Sequence, residues 1–120
     1  MREIWYNKSM ERDSFKEYIV EQLAELDGVE ERRMFGSWGL YCCGAFFGII
    51  SKGRLYFKTN ETTRRKYESA GMRPFSPSAQ QVLKNYYEVP DEVIEDRETL
   101  AAWAREAALL AEKGKKSVHC

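Results

Sequence analysis

The spacing of apolar and polar positions in the first half of the chain predicts one helix followed by four strands. Apolar residues recur at helical spacing after Ser14, where Ser14-Phe15-Lys16-Glu17 has the pattern of a capping box, and Gly28 is a natural end for this helix. Short β-forming runs follow, separated by glycine-containing turns. The predicted strands are 29–35, 40–43, 46–50 and 54–59.

The second half of the chain predicts two longer helices and one further strand. A helix is expected at 61–70, with Asn60 as its cap and Gly71 as its end. The segment 74–77 is expected to be a turn, 82–89 a strand, 91–95 a single helical turn, and the residues from 97 to Gly114 the last helix.

The connections between the first four strands are too short for a parallel crossover, so neighbouring strands should be antiparallel. The sequence therefore predicts an α+β fold, a two-layer sandwich in which helices cover an antiparallel sheet of about five strands. The expected order of elements is α-β-β-β-β-α-β-α. Alternation in the fourth strand places Leu55 and Phe57 in the core and leaves Arg54, Tyr56 and Lys58 on a face that is at least partly wet.

The length of the chain, 120 residues, predicts a single domain, ordered over about 14–113 with an arm at 1–12 and a tail at 115–120. The segment 34–51 carries no charge over 18 residues, which is long enough to span a membrane. Its four glycines lie among β-forming residues, which is typical of strands joined by tight turns, so no membrane association is expected.

Composition excludes several classes of chemistry. The 19 basic and 19 acidic residues cancel, so the chain has no overall positive field for nucleic acid. The three cysteines have no CxxC spacing and there is one histidine, so we expect no disulfide, no metal and no cofactor, and a cytoplasmic location. No pattern of residues indicates an active site, so the protein is not expected to be an enzyme.

Local charge is less even than the total. The segment 52–73 holds seven basic and two acidic residues, a local net charge of +5. Within it, Arg64-Arg65-Lys66 lies in the first turns of a predicted helix, where an anion would offset unfavourable interactions with the helix dipole. This segment is the candidate site for a small anion or a nucleic acid backbone.

The segment Gly36-Ser37-Trp38-Gly39 is predicted to be a tight turn. Its spacing matches neither the P-loop nor the dinucleotide-binding fingerprint. Trp38 at the tip of this turn would either fold back onto the core or offer an exposed contact to a partner, and the sequence leaves both interpretations open.

Four separated motifs resemble the TfoX (Sxy) N-terminal domain family over about 31–111. They are Arg33-Met34-Phe35-Gly36-Ser37-Trp38-Gly39-Leu40-Tyr41, Gly53-Arg54-Leu55-Tyr56-Phe57-Lys58, Tyr67-Glu68-Ser69-Ala70-Gly71-Met72-Arg73-Pro74-Phe75, and Tyr86-Tyr87-Glu88-Val89-Pro90 followed by Trp103-Ala104. The full regulators of this family carry a second, helical C-terminal domain, and the resemblance covers only the first domain. It implies a two-layer fold and a role in the regulation of DNA-uptake competence together with the cyclic-AMP receptor protein.

Two classes of function remain open on the sequence. The first is a non-enzymatic regulatory or interaction module that works through a protein partner or DNA, with a homodimer as a further option. The alternative is a binding protein for a small anionic ligand. The candidate binding residues are Arg33, Phe35, Trp38, Arg54, Lys58, Arg64 and Arg65.

Overall fold

The computed structural model describes residues 8–34 and 36–113, which form one antiparallel sheet and four helices. The helices are α1 (Lys8–Gln22), α2 (Arg64–Ser69), α3 (Asp91–Ile94) and α4 (Arg97–Lys113). The strands are β1 (Val29–Met34), β2 (Ser37–Cys42), β3 (Ala45–Ser51), β4 (Arg54–Lys58), β5 (Pro74–Ser78) and β6 (Gln81–Glu88). Their order in the sheet is β1-β2-β3-β4-β6-β5, which confirms the α+β prediction with six strands.

Two local predictions are wrong. Helix α1 begins at Lys8, so Ser14 lies inside the helix and does not cap it. The expected turn at 74–77 is instead strand β5, which pairs only with β6 at the edge of the sheet. An edge strand has one side without a partner strand, so Pro74 and Pro77 can lack an N–H group without breaking the ladder.

Two of the hairpins close through two-residue turns with left-handed backbone conformations. Cys43 and Gly44 connect β2 to β3 with φ values of 54° and 87°, and Lys52 and Gly53 connect β3 to β4 with 54° and 76°. Positive φ at both central positions is the signature of the type I′ turn, whose twist matches that of the flanking strands. These turns hold β2, β3 and β4 in adjacent, fixed register.

All four helices lie on one face of the sheet. Their buried residues join those of the sheet in a single hydrophobic cluster, to which α1 contributes Ile19 and Leu23 and α4 contributes Leu100. Leu55 and Phe57 are fully buried in this cluster, as predicted. The opposite face of the sheet receives no helix from the described part of the chain.

A β-bulge in β3 sets which side chains reach that opposite face. The register shifts between Leu40 and Tyr41, so β3 accommodates the extra residue Phe47 opposite them. Phe47 is buried in the core, while its neighbour Phe46 pairs with Tyr41 on the other face. At Gly48 a Cβ atom would lie 3.1 Å from a backbone oxygen of β4, so a side chain here would force its neighbours to shift.

The expectation that the cysteines form no disulfide is wrong at Cys42, which is disulfide-bonded. Sequence spacing detects metal-binding patterns, whereas a disulfide requires only that two Cβ atoms lie about 4 Å apart in the fold. Cys43 is free and exposed, and Cys120, expected as a tail thiol, lies outside the described residues.

No helix in the described ranges has the length and apolar character needed to cross a bilayer. The uncharged segment 34–51 instead supplies β2 and β3, in agreement with the interpretation as strands joined by turns.

Candidate interaction surface

Trp38 lies within a strand and not at the tip of a turn. Strand β2 already begins at Ser37, and Trp38 pairs with Arg33 on one side and with Ile50 on the other. The loop before β2 is completed by Gly36, whose φ of 79° provides the left-handed conformation that a tight connection needs. Because Ser37, Trp38 and Gly39 all belong to β2 and pair with β1, the predicted turn at 36–39 is wrong.

The Trp38 side chain lies between the core and two cations. It is half-buried and packs against the hydrophobic cluster. The Nζ atom of Lys16 lies 4.5 Å from the centroid of its ring, and the guanidinium carbon of Arg33 lies 5.1 Å from it. Both distances are within the range of a cation–π interaction. Trp38 therefore packs against the core and also keeps part of its side chain exposed, so each of the two interpretations from the sequence is partly correct.

A groove of about 780 Å³ connects Trp38 with the beginning of the basic segment. Arg33, Trp38 and Lys52 line it together with polar residues of the nearby turns. Its apolar lining includes side chains from the face of the sheet that the helices leave open: Phe46, Ile49 and Phe75. The groove therefore combines an apolar lining with two basic residues.

Arg54 and Lys58 lie on the open face of the sheet, where strand alternation predicted them. Arg54 forms an ion pair with Glu88 at 3.1 Å, and the Nζ atom of Lys58 lies 5.3 Å from the centroid of the Tyr86 ring. An exposed ion pair contributes little to stability, so Arg54 can exchange Glu88 for a ligand at low cost.

Arg64 and Arg65 lie on α2, and neither lines the groove. The turn before α2 is held by Asn60, whose Oδ1 accepts a hydrogen bond from the Thr63 N–H at 2.8 Å, while the Thr63 hydroxyl accepts one from the Asn60 N–H at 3.0 Å. The prediction that Asn60 caps a helix at 61–70 is therefore wrong at its start: α2 begins at Arg64 with Thr63 as its N-cap, and Asn60 holds the turn that precedes it. The Nε atom of Arg64 is buried and has no hydrogen-bond partner among the described residues.

The candidate binding residues, which the sequence analysis placed in one site, therefore fall into three groups. Arg33 and Trp38 meet in the groove, Arg54 and Lys58 share the open face of the sheet, and Arg64 and Arg65 belong to α2. Phe35 lies outside the described residues.

The sequence analysis missed a set of aromatic side chains on the open face of the sheet, which we call the aromatic face. Tyr41 and Phe46 have ring centroids 5.1 Å apart, and Phe46 and Tyr86 have centroids 5.4 Å apart. Tyr56 and Phe75 form a second pair at 4.7 Å. Alternation along β4 predicted the placement of Tyr56, but the other four rings are brought to this face by the bulge in β3 and by the order of the strands.

Two tyrosines of the aromatic face, Tyr56 and Tyr86, are neutral over the physiological pH range. Burial, with a smaller effect of the nearby Tyr41, raises the pKa of Tyr86 to about 12. Burial and then the Glu88 carboxylate raise the pKa of Tyr56, although the Arg54 guanidinium opposes the change. Neither of these two phenols therefore adds a charge to the face at physiological pH.

Comparison with known proteins supports the resemblance found in the motifs. The family model described as the TfoX N-terminal domain matches residues 21–111, which includes all the strands, the four motifs and most of α4. No curated protein sequence matches the chain.

Proposed function

Because the chain belongs to the TfoX N-terminal domain family, we propose that it is a non-enzymatic regulatory module that takes part in the control of DNA-uptake competence by binding a protein partner. The match over residues 21–111 is the observation that carries this proposal. The partner that the resemblance implies is the cyclic-AMP receptor protein. A cytoplasmic location is part of the proposal.

The groove beside Trp38 supports binding of a protein. Interfaces concentrate their binding energy in a few partly enclosed aromatic and arginine side chains surrounded by polar residues. Trp38 supplies the aromatic group, Arg33 lies against its ring, and Lys52 supplies a second positive charge at the rim. This arrangement fits an acidic or amphipathic segment of a partner, because the charges would steer the encounter and the apolar lining would slow dissociation.

Binding kinetics with the purified cyclic-AMP receptor protein, measured with and without cyclic AMP, test the proposal. The double variant Arg33→Glu with Lys52→Glu should slow association and flatten its salt dependence, because it reverses two exposed charges at the groove. The matched control is Arg105→Glu, an exposed arginine on α4 away from the groove. Absence of binding by the unaltered chain, or an equal effect of the control, would contradict the proposal.

A small anionic ligand near α2 is the second candidate function, and one observation favours it. The buried Nε of Arg64 has a hydrogen to donate and no acceptor within the described residues, which an oxygen of a bound anion would supply. Thermal unfolding with and without phosphorylated metabolites tests this candidate. A rise in melting temperature that Arg64→Gln abolishes would support it, and an unchanged melting temperature would remove it.

A further inference from the structure

Within residues 8–34 and 36–113, the aromatic face is the largest group of ring side chains outside the helix-covered core. Its five residues come from five different strands, so the whole width of the sheet from β2 to β5 contributes to it. Four of the five, Tyr41, Phe46, Tyr56 and Tyr86, are half-buried, and each therefore presents part of its ring to solvent. Phe75 is buried against Tyr56.

Three of these rings form a row that runs across the strands. Tyr41 contacts Phe46, and Phe46 contacts Tyr86 across β4, with centroid separations of 5.1 and 5.4 Å. A cation lies against each end of the row: the guanidinium carbon of Arg32 is 4.7 Å from the centroid of Tyr41, and the Nζ atom of Lys58 is 5.3 Å from that of Tyr86.

We propose that the aromatic face binds single-stranded nucleic acid. Unpaired bases stack on tyrosine and phenylalanine rings of a sheet whatever their sequence, and basic side chains beside the rings contact the phosphates. Phe46 and the two tyrosines of the row supply the stacking surface, and Arg32 and Lys58 supply the cations. Arg54 adds a third cation on the same face.

Charge on the face favours this occupant. Arg32, Arg54 and Lys58 outnumber the two carboxylates that lie beside them, Glu30 and Glu88. The ion pairs that these carboxylates form, at 3.4 and 3.1 Å, are solvent-exposed on the arginine side and are therefore readily exchanged for phosphate oxygens. Duplex DNA hides the faces of its bases, so a platform of rings with few cations selects single strands.

The edges of the sheet disfavour a second copy of the chain as a strand-pairing partner. Strand β1 has the sequence VEERRM, whose charges discourage pairing at that edge, and β5 carries two prolines at the other. A second copy stacked face to face is the other possible occupant of the aromatic face, and the test below separates it from nucleic acid.

This inference does not depend on the proposed function. Oligonucleotide binding is measured with the purified full chain alone, whereas the proposed function is measured with the receptor protein, so either can fail without the other.

Fluorescence anisotropy of labelled oligonucleotides tests the inference. The probes are oligothymidylate of about 20 nucleotides, a mixed-sequence single strand of the same length, and the duplex of that mixed sequence, all at about 0.1 M salt. Both single strands should bind, and the duplex should bind at least about tenfold more weakly.

Ring variants locate the site. Phe46→Leu and Tyr86→Leu, each of which removes a stacking surface, should weaken single-strand binding by about fivefold to a hundredfold. The matched control is Tyr18→Leu, a tyrosine on α1 that is 41% exposed, which should leave binding unchanged. Circular dichroism establishes that each variant is folded. Arg32→Gln and Lys58→Gln retain the rings and should reduce the slope of affinity against salt concentration by about one each.

Several results would overturn the inference. One is no binding of either single strand by the folded chain, and another is equal affinity for the duplex. Binding that both folded ring variants retain would place the nucleic acid elsewhere. Sedimentation that shows a dimer which Tyr86→Leu converts to a monomer, without single-strand binding, would assign the aromatic face to a second copy of the chain.

Discussion

Replacing Trp38 by alanine should destabilise the protein by about 3 kcal/mol, because the side chain is half-buried and carries two cation–π contacts. Truncation of a fully buried tryptophan to alanine costs about 3–5 kcal/mol of unfolding free energy. Because Trp38 is only half-buried, the loss of its packing should cost about half of that. The contacts with Lys16 and Arg33 add about 0.5–1 kcal/mol each at a site that is partly exposed. For a domain of this size, the total corresponds to a fall of about 10 °C in Tm.

Thermal and urea unfolding followed by circular dichroism measure this effect. Trp38→Phe, which keeps an aromatic ring, should lose less than half as much stability as Trp38→Ala. Leu109→Ala is the control, because Leu109 is 56% exposed on α4 and its truncation should change stability by less than about 0.5 kcal/mol. A loss below about 1 kcal/mol for Trp38→Ala would show that the indole does not pack on the core, and a loss above about 5 kcal/mol would show that it is fully enclosed and unable to meet a partner.

Three further predictions concern the sheet. Gly48→Ala should cost about 1–2 kcal/mol in urea unfolding, because the new Cβ would lie 3.1 Å from the Tyr56 carbonyl oxygen and only part of the strain is offset by lower entropy of the unfolded chain. Gly53→Ala should cost about 1–2 kcal/mol in the same assay, since φ is 76° at a turn position with open space around it. The pKa of Tyr86 is raised from 10.0 to about 12, so the folded state holds the phenol proton more tightly than the unfolded state does. The stabilisation that results is fully present below pH 10.0 and is lost as the pH rises from 10.0 to about 12. Tyr86→Phe should therefore show a smaller fall in urea midpoint over that interval.

The sequence predicted the fold class because most elements have local signals. Glycine-containing turns limited the connections of β2, β3 and β4 to two residues, and alternation in β4 identified Leu55 and Phe57 as core. Strand β5 was missed because two prolines within four residues normally indicate a turn. Proline is acceptable in β5 only because the strand lies at the edge, and that position follows from β6 pairing with β4, which no local pattern reveals.

The candidate site was less predictable, for reasons that lie in tertiary geometry. Phe46 and Phe47 belong to one apolar run, and only the bulge opposite Leu40 and Tyr41 decides that Phe47 enters the core and Phe46 the open face. The contact between Phe46 and Tyr86 depends on the order of the strands across the sheet. The local net charge suggested that 52–73 forms one basic surface. In the structure, the basic residues of this segment that lie on β4 and those that lie on α2 belong to separate surfaces.

Nuclear magnetic resonance of the isotope-labelled full chain, titrated with unlabelled cyclic-AMP receptor protein, tests the proposed regulatory function most directly. The account predicts that shifts and broadening concentrate at the groove, on the amides of Arg33 and Lys52 and on the indole N–H of Trp38. Resonances on the outer side of α4, such as those of Arg105 and Leu109, should be unchanged. A spectrum that does not change on addition of the receptor protein, or changes centred on α4, would contradict the account.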